Sequence, residues 1–130
     1  MRYLADTDWV IHFLNGRRDI VARILELSRE GIALSVISLA ELYEGVHYSR
    51  DPRKSEEALQ DFLRGVELLG IDDEITRVFG RERGRLRVAG KTVGDFDLLI
   101  AATALRHDLT LLTDNRRHFE LIDKLRIIPV

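Results

Sequence analysis

Asp95-Phe96-Asp97-Leu98-Leu99-Ile100-Ala101-Ala102-Thr103-Ala104-Leu105-Arg106-His107 is the most helix-like stretch of the chain, and its middle is apolar almost all round. A helix without a polar face is buried rather than laid on a surface, so it needs layers of structure around it. Working outward, short apolar runs alternate with segments of helical periodicity. Strands are expected over residues 3–6, 32–35, 66–71, 109–113 and 126–128, with the 66–71 run apolar enough to be well buried. Helices are expected after Asp8 (Trp9, Val10, Phe13, Leu14) and over residues 20–28, 39–49, 55–65, 73–88 and 95–107. That alternation predicts a three-layer α/β/α fold with a mostly parallel central sheet of about five strands.

The bulk numbers narrow the class. The 130 residues suit one domain, 1–130, and 45% hydrophobic content is enough for a core. Cysteine is absent, which removes disulfides, zinc–thiolate sites and thiol nucleophiles, and suits a reducing cytoplasm. The opening Met1-Arg2-Tyr3-Leu4-Ala5-Asp6 meets acid too early for a signal peptide, and no apolar run nears the roughly 18 residues of a membrane span. A cytoplasmic protein with no membrane partner is the expectation. Net charge is −2, so any nucleic-acid binding must use a local basic patch.

The acids carry the chemistry. In an open parallel sheet, ligands bind beyond the carboxyl ends of the strands. Asp6 closes the first strand and Asp114 follows Leu111-Leu112-Thr113. Glu41, in Ser38-Leu39-Ala40-Glu41-Leu42, and Asp97 lie near the starts of helices that can face the same crevice. A carboxylate at the head of a buried helix needs a partner, and a metal ion is one. Each acid also has a plainer reading. Ser38 and Glu41 fit a capping box; Asp8, Asp95 and Asn115 read as helix caps; Asp6 and Asp114 suit turns. Other chemistries are missing: no phosphate-binding glycine loop, no nucleophile elbow. His12, His47, His107 and His118 lack metal spacing and are placed on surfaces or at helix ends.

At these residues the sequence resembles the PIN-domain family, and within it the VapC-type toxins of toxin–antitoxin pairs, over nearly the whole chain. Leu4-Ala5-Asp6-Thr7-Asp8 is similar to the first family motif, residues 35–42 continuing to Gly45 to the second, residues 97–104 to the third, and Leu112-Thr113-Asp114-Asn115 with Phe119 to the last. The resemblance implies that Asp6, Glu41, Asp97 and Asp114 are the catalytic, metal-binding acids, and that Thr7 and Thr113 orient them. The chain departs from the pattern at Asn115, where the family often has its last acid. The resemblance further implies an Mg²⁺- or Mn²⁺-dependent endoribonuclease, a homodimer, a small VapB-like antitoxin as partner, and in-line water attack leaving a 5′-phosphate and a 3′-hydroxyl.

Hard oxygen donors suit Mg²⁺ and Mn²⁺, which lower the pKa of bound water and neutralise phosphoryl oxygens. Asp6 and Asp97 are the expected main ligands, with Glu41 and Asp114 completing the cage. Without a cation, clustered acids repel, and at least one should keep its proton to higher pH. Arg116 and Arg117, next to Asp114, are candidates for RNA phosphate contacts. Arg81, Arg83, Arg85, Arg87 and Lys91 read as a helix face or as a further basic patch. Three alternatives stand beside the toxin: a structure-specific DNA nuclease, a housekeeping RNA-processing nuclease without antitoxin, and a receiver-like signalling module with an acid ending its third strand at Ile71-Asp72-Asp73.

Overall fold

The computed structural model describes residues 2–129; Met1 and Val130, the ends of the expected domain, lie outside the described residues. Five parallel strands form one sheet: β1 (Tyr3–Ala5), β2 (Ile32–Ser35), β3 (Glu67–Leu69), β4 (Thr110–Leu112) and β5 (Ile127–Ile128), in the order β3-β2-β1-β4-β5. Seven α-helices connect them: α1 (Thr7–Leu14), α2 (Arg18–Leu27), α3 (Val36–His47), α4 (Pro52–Leu63), α5 (Asp73–Val88), α6 (Asp95–Arg106) and α7 (Arg116–Phe119).

Strand periodicity divides the core. Tyr3, Ala5, Ile32, Leu34 and Leu112 join Trp9, Val10, Ile20, Ile24, Leu59 and Phe62 on the face covered by α1 to α4. Leu4, Ala33 and Leu111 point the other way, toward Leu86 of α5, Leu98, Ile100, Ala101 and Ala104 of α6, and Phe119. Successive side chains of a strand leave opposite faces, so the three inner strands are buried on both sides. The sequence expectation for α6 holds: six of its residues, Leu98 and Ile100 through Ala104, are buried, and it packs against α5 and α3.

The chain turns to opposite sides of β1, toward β2 on one side and β4 on the other. That point of reversal opens a crevice at the carboxyl edge. Register does the rest: Ala5 pairs with Leu112, so the next residues, Asp6 and Thr113, stand side by side.

Three local readings are corrected. The 66–71 run is an edge strand, with Glu67 and Leu68 exposed, because β2 flanks it on one side and no strand on the other. Asp8 does not cap α1; Asp6 does, accepting the Thr7 N–H. The capping box at Ser38 is absent, since α3 begins earlier and is capped by Ser35 through the Ile37 N–H.

Candidate active site

Asp6 is 5% exposed and joins three elements. Its N–H donates to Leu112 O at 2.9 Å, which locks the end of β1 to β4. Its Oδ1 accepts the Thr7 N–H at 2.8 Å, and its Oδ2 accepts the Thr113 hydroxyl at 2.7 Å. Both bonds favour the charged form. Burial, together with the charges of Asp8 and Asp97, outweighs them and pushes the carboxyl up to about 7. The expected proton-holding acid is therefore Asp6, with burial as the larger cause and repulsion the lesser.

Thr7 also donates its hydroxyl to Glu41 Oε1 at 2.7 Å. One residue thus orients two acids that lie 35 positions apart. Glu41, freed from the capping role, stands in α3 against the start of α1. Asp97 occupies the first turn of α6, its carboxylate a quarter exposed, with Oδ2 at 3.2 Å from His118 Nδ1. Asp95, two residues earlier, leaves the helix in another direction and pairs with Arg83. Asp6, Glu41 and Asp97, with Thr7 and Thr113, are brought to one edge as expected.

Asp8, which the sequence reading assigned to a cap, lies at the same edge as Asp6. Its Oδ2 accepts the Asp114 N–H at 3.1 Å, while its Oδ1 is buried without a hydrogen-bond partner. Burial first, then the Asp114 charge, raises its pKa. The signal was the Asp6-Thr7-Asp8 spacing at a strand end, where two acids flank a hydroxyl.

Asp114 differs from the other three. Its carboxylate meets Trp9 Nε1–H at 3.3 Å, His12 Nε2 at 3.4 Å and Arg17 Nη1 at 3.5 Å. It reaches the acid group through its backbone N–H on Asp8. Arg116 is paired with Glu120 along α7. Arg117 is exposed and makes no ion pair among the described residues. Arg81, Arg83 and Arg85 are paired with Glu82 or Asp95.

Asp6, Asp8, Glu41 and Asp97, with Thr7 and Thr113, offer carboxylate and hydroxyl oxygens, the set a hard divalent cation takes. Asp8 carries a buried oxygen without a hydrogen-bond partner, and the buried Asp6 carboxyl is pushed up to about 7, so negative charge is disfavoured at this edge without a cation. The donor chemistry fits such an ion. Among the described residues, no three His, Asp or Glu side chains stand close enough together to hold one as they lie.

Comparison with known proteins follows the same line. The family model for the PIN domain matches residues 3–125. The chain is similar to the ribonuclease VapC2 of Rickettsia felis, 34% identical over 127 residues, covering 96% of this chain and 95% of that one. It is similar to the tRNA(fMet)-specific endonuclease VapC of Salmonella typhimurium, 28% identical over 127 residues, covering 98% and 96%. Its fold matches a chain in the crystal structure of VapBC2 from Rickettsia felis bound to a DNA fragment from their promoter, with a TM-score of 0.93, 30% identity, and 100% and 99% coverage.

Proposed function

The chain belongs to the PIN-domain family, and from that premise we propose that it is a metal-dependent endoribonuclease, the toxin of a toxin–antitoxin pair held in check by a small VapB-like partner. The observation that carries the reading is Asp6, a buried acid near two further acids that accepts the Thr7 N–H and the Thr113 hydroxyl at the open edge of the sheet. A protein does not retain uncompensated buried charge for stability's sake, since desolvating it costs several kcal/mol. The relatives named ribonuclease VapC2 and tRNA(fMet)-specific endonuclease VapC, and the VapBC complexes that share the fold, support both halves of the reading. No observation supports the receiver-like alternative: such modules run 2-1-3-4-5, whereas here β3 is an edge strand and Asp72 caps α5 through the Ile75 N–H.

Asp6 and Asp97 would hold the ion, with Glu41 and Asp8 nearest to complete its shell. When bound, Mg²⁺ or Mn²⁺ supplies an activated water and neutralises charge growing on the phosphate. The chain's own residues make that possible. Thr7 and Thr113 hold Glu41 and Asp6 by their hydroxyls, which leaves only the closing of the acids around the cation to be ordered when it arrives. Arg117, exposed and next to this edge, is placed to meet an RNA phosphate. Asp114 acts from the rim, holding Asp8 by its N–H and α1 by its carboxylate.

The test is cleavage of total tRNA by purified protein with Mg²⁺ or Mn²⁺, with EDTA, and with Asp97→Asn. Cleavage that needs the metal and Asp97, leaving 5′-phosphate ends, is the expected result. Undiminished cleavage in EDTA would overturn it.

A further inference from the structure

The segment after β4 touches the acid cluster twice. Thr113 donates its hydroxyl to Asp6 Oδ2 and receives the Asn115 N–H at 3.0 Å. Three residues beyond, α7 places His118 with Nδ1 at 3.2 Å from Asp97 Oδ2 and 2.9 Å from Asn115 Nδ2. The His118 side chain is 52% exposed, so it is no part of the core. Its place is set by Phe119, the fully buried residue that anchors the short helix.

We propose that His118 is a positioning residue, holding the Asp97 carboxylate toward the acid cluster through Nδ1. This rests on the reading of Asp97 as a metal ligand. A carboxylate in the first turn of a helix, a quarter exposed, can swing toward solvent. A ring N–H on Oδ2 fixes its rotamer and leaves the other oxygen for a cation. The single nitrogen facing both Asp97 and Asn115 serves the carboxylate when it carries hydrogen and the amide when it does not. Asn115 is thus a holding contact that competes with Asp97 for one atom. Partners of this kind around a metal ligand typically change metal affinity by about 10–100-fold.

The plain alternative is a solvated ion pair of little consequence. Three substitutions separate the two. His118→Asn keeps an N–H donor near the position of Nδ1, His118→Gln moves the donor toward Nε2, and His118→Ala removes it. Mn²⁺ binding is read from the electron paramagnetic resonance of free Mn²⁺, alongside melting curves. His118→Ala and His118→Gln should weaken Mn²⁺ by about tenfold or more, and His118→Asn should stay within about threefold of wild type. All should melt close to wild type, because the side chain is largely solvated. Wild-type Mn²⁺ affinity in His118→Ala, or a loss in His118→Asn as large as in His118→Ala, would overturn the proposal. Asp97→Asn distinguishes the levels. If it binds Mn²⁺ like wild type, the metal-ligand reading itself has failed; if it loses Mn²⁺ while His118→Ala keeps it, the positioning role alone has failed.

Discussion

Asp6 and Asp114 follow neighbouring parallel strands, β1 and β4, and both look like acids at the same sheet edge. Their surroundings are opposite. Asp6 is buried against two hydroxyl-bearing residues and two further acids, with a carboxyl pushed up to about 7. Asp114 is partly exposed and meets an indole N–H, an imidazole and a guanidinium. An acid that the protein surrounds with its own donors is satisfied. An acid placed among other acids, its rotamer fixed and its charge unanswered, is prepared for something the chain does not supply. The contrast distinguishes the two acids more sharply than position in the sequence does, and under the proposed function it makes Asp6 the ligand and Asp114 a clamp.

The largest effect should test that contrast directly. Asp6→Asn and Asp97→Asn should each lower RNA cleavage by about 10³-fold, the rate cost of roughly 4 kcal/mol of transition-state stabilisation. Asp114→Asn and Asp95→Asn should stay within about tenfold of wild type, or roughly 1.4 kcal/mol. Equal losses at Asp6 and Asp114, measured as initial rates on one RNA, would erase the distinction.

Next comes stability against pH in EDTA. The folded protein keeps the Asp6 proton up to about 7, while the unfolded chain releases it near 3.8. Between those values the folded state binds more protons, so stability should fall as pH rises and level off above about 7. Denaturant titrations across that range should show the slope in wild type and a flatter one in Asp6→Asn. An unchanged slope would mean that another group holds the proton.

A cation should reverse the penalty. Mn²⁺ at about 100 times its dissociation constant should stabilise wild type by about 2.7 kcal/mol, by mass action on the folded state. Asp114→Asn should respond as wild type does, and Asp6→Asn far less, in melting curves with and without metal.

The smallest effect concerns the clamp. Asp114→Ala leaves the Trp9 indole N–H without its partner, and should cost about 1–2 kcal/mol of stability in urea unfolding. Retained stability would make the Asp114 contacts incidental.

Much of this was legible in the chain. Helix α5 runs over residues 73–88 as periodicity suggests, and α6 is buried because no polar stripe interrupts it. Asp6 falls at a strand end and Asp97 at a helix start, positions that the α/β alternation sends to one edge, whereas Glu41 stands midway along α3 because that helix begins earlier than the sequence suggests. The misreadings share a cause. The 66–71 run is apolar, yet Leu68 is exposed, because an edge is defined by the neighbour that is missing. Asp8, Asp114 and His118 find hydrogen-bond partners 106, 105 and 21 positions away. Local pattern carries propensity and periodicity; it does not record which donor will arrive from the far end of the chain.

The hydroxyl of Thr113 on Asp6 closes a span of 107 positions. Strand β1 likewise lacks its β4 neighbour until residues 110–112 exist. During synthesis, at about 5–20 residues per second, Asp6, Glu41 and Asp97 all emerge before the strand that orders them. A polypeptide abandoned before residue 113 therefore carries three of the acids without the frame that aligns them. On the proposed toxin reading, that ordering makes lethality a property of finished copies. Prematurely terminated fragments expressed in growing cells are expected to be harmless for a reason written into the topology.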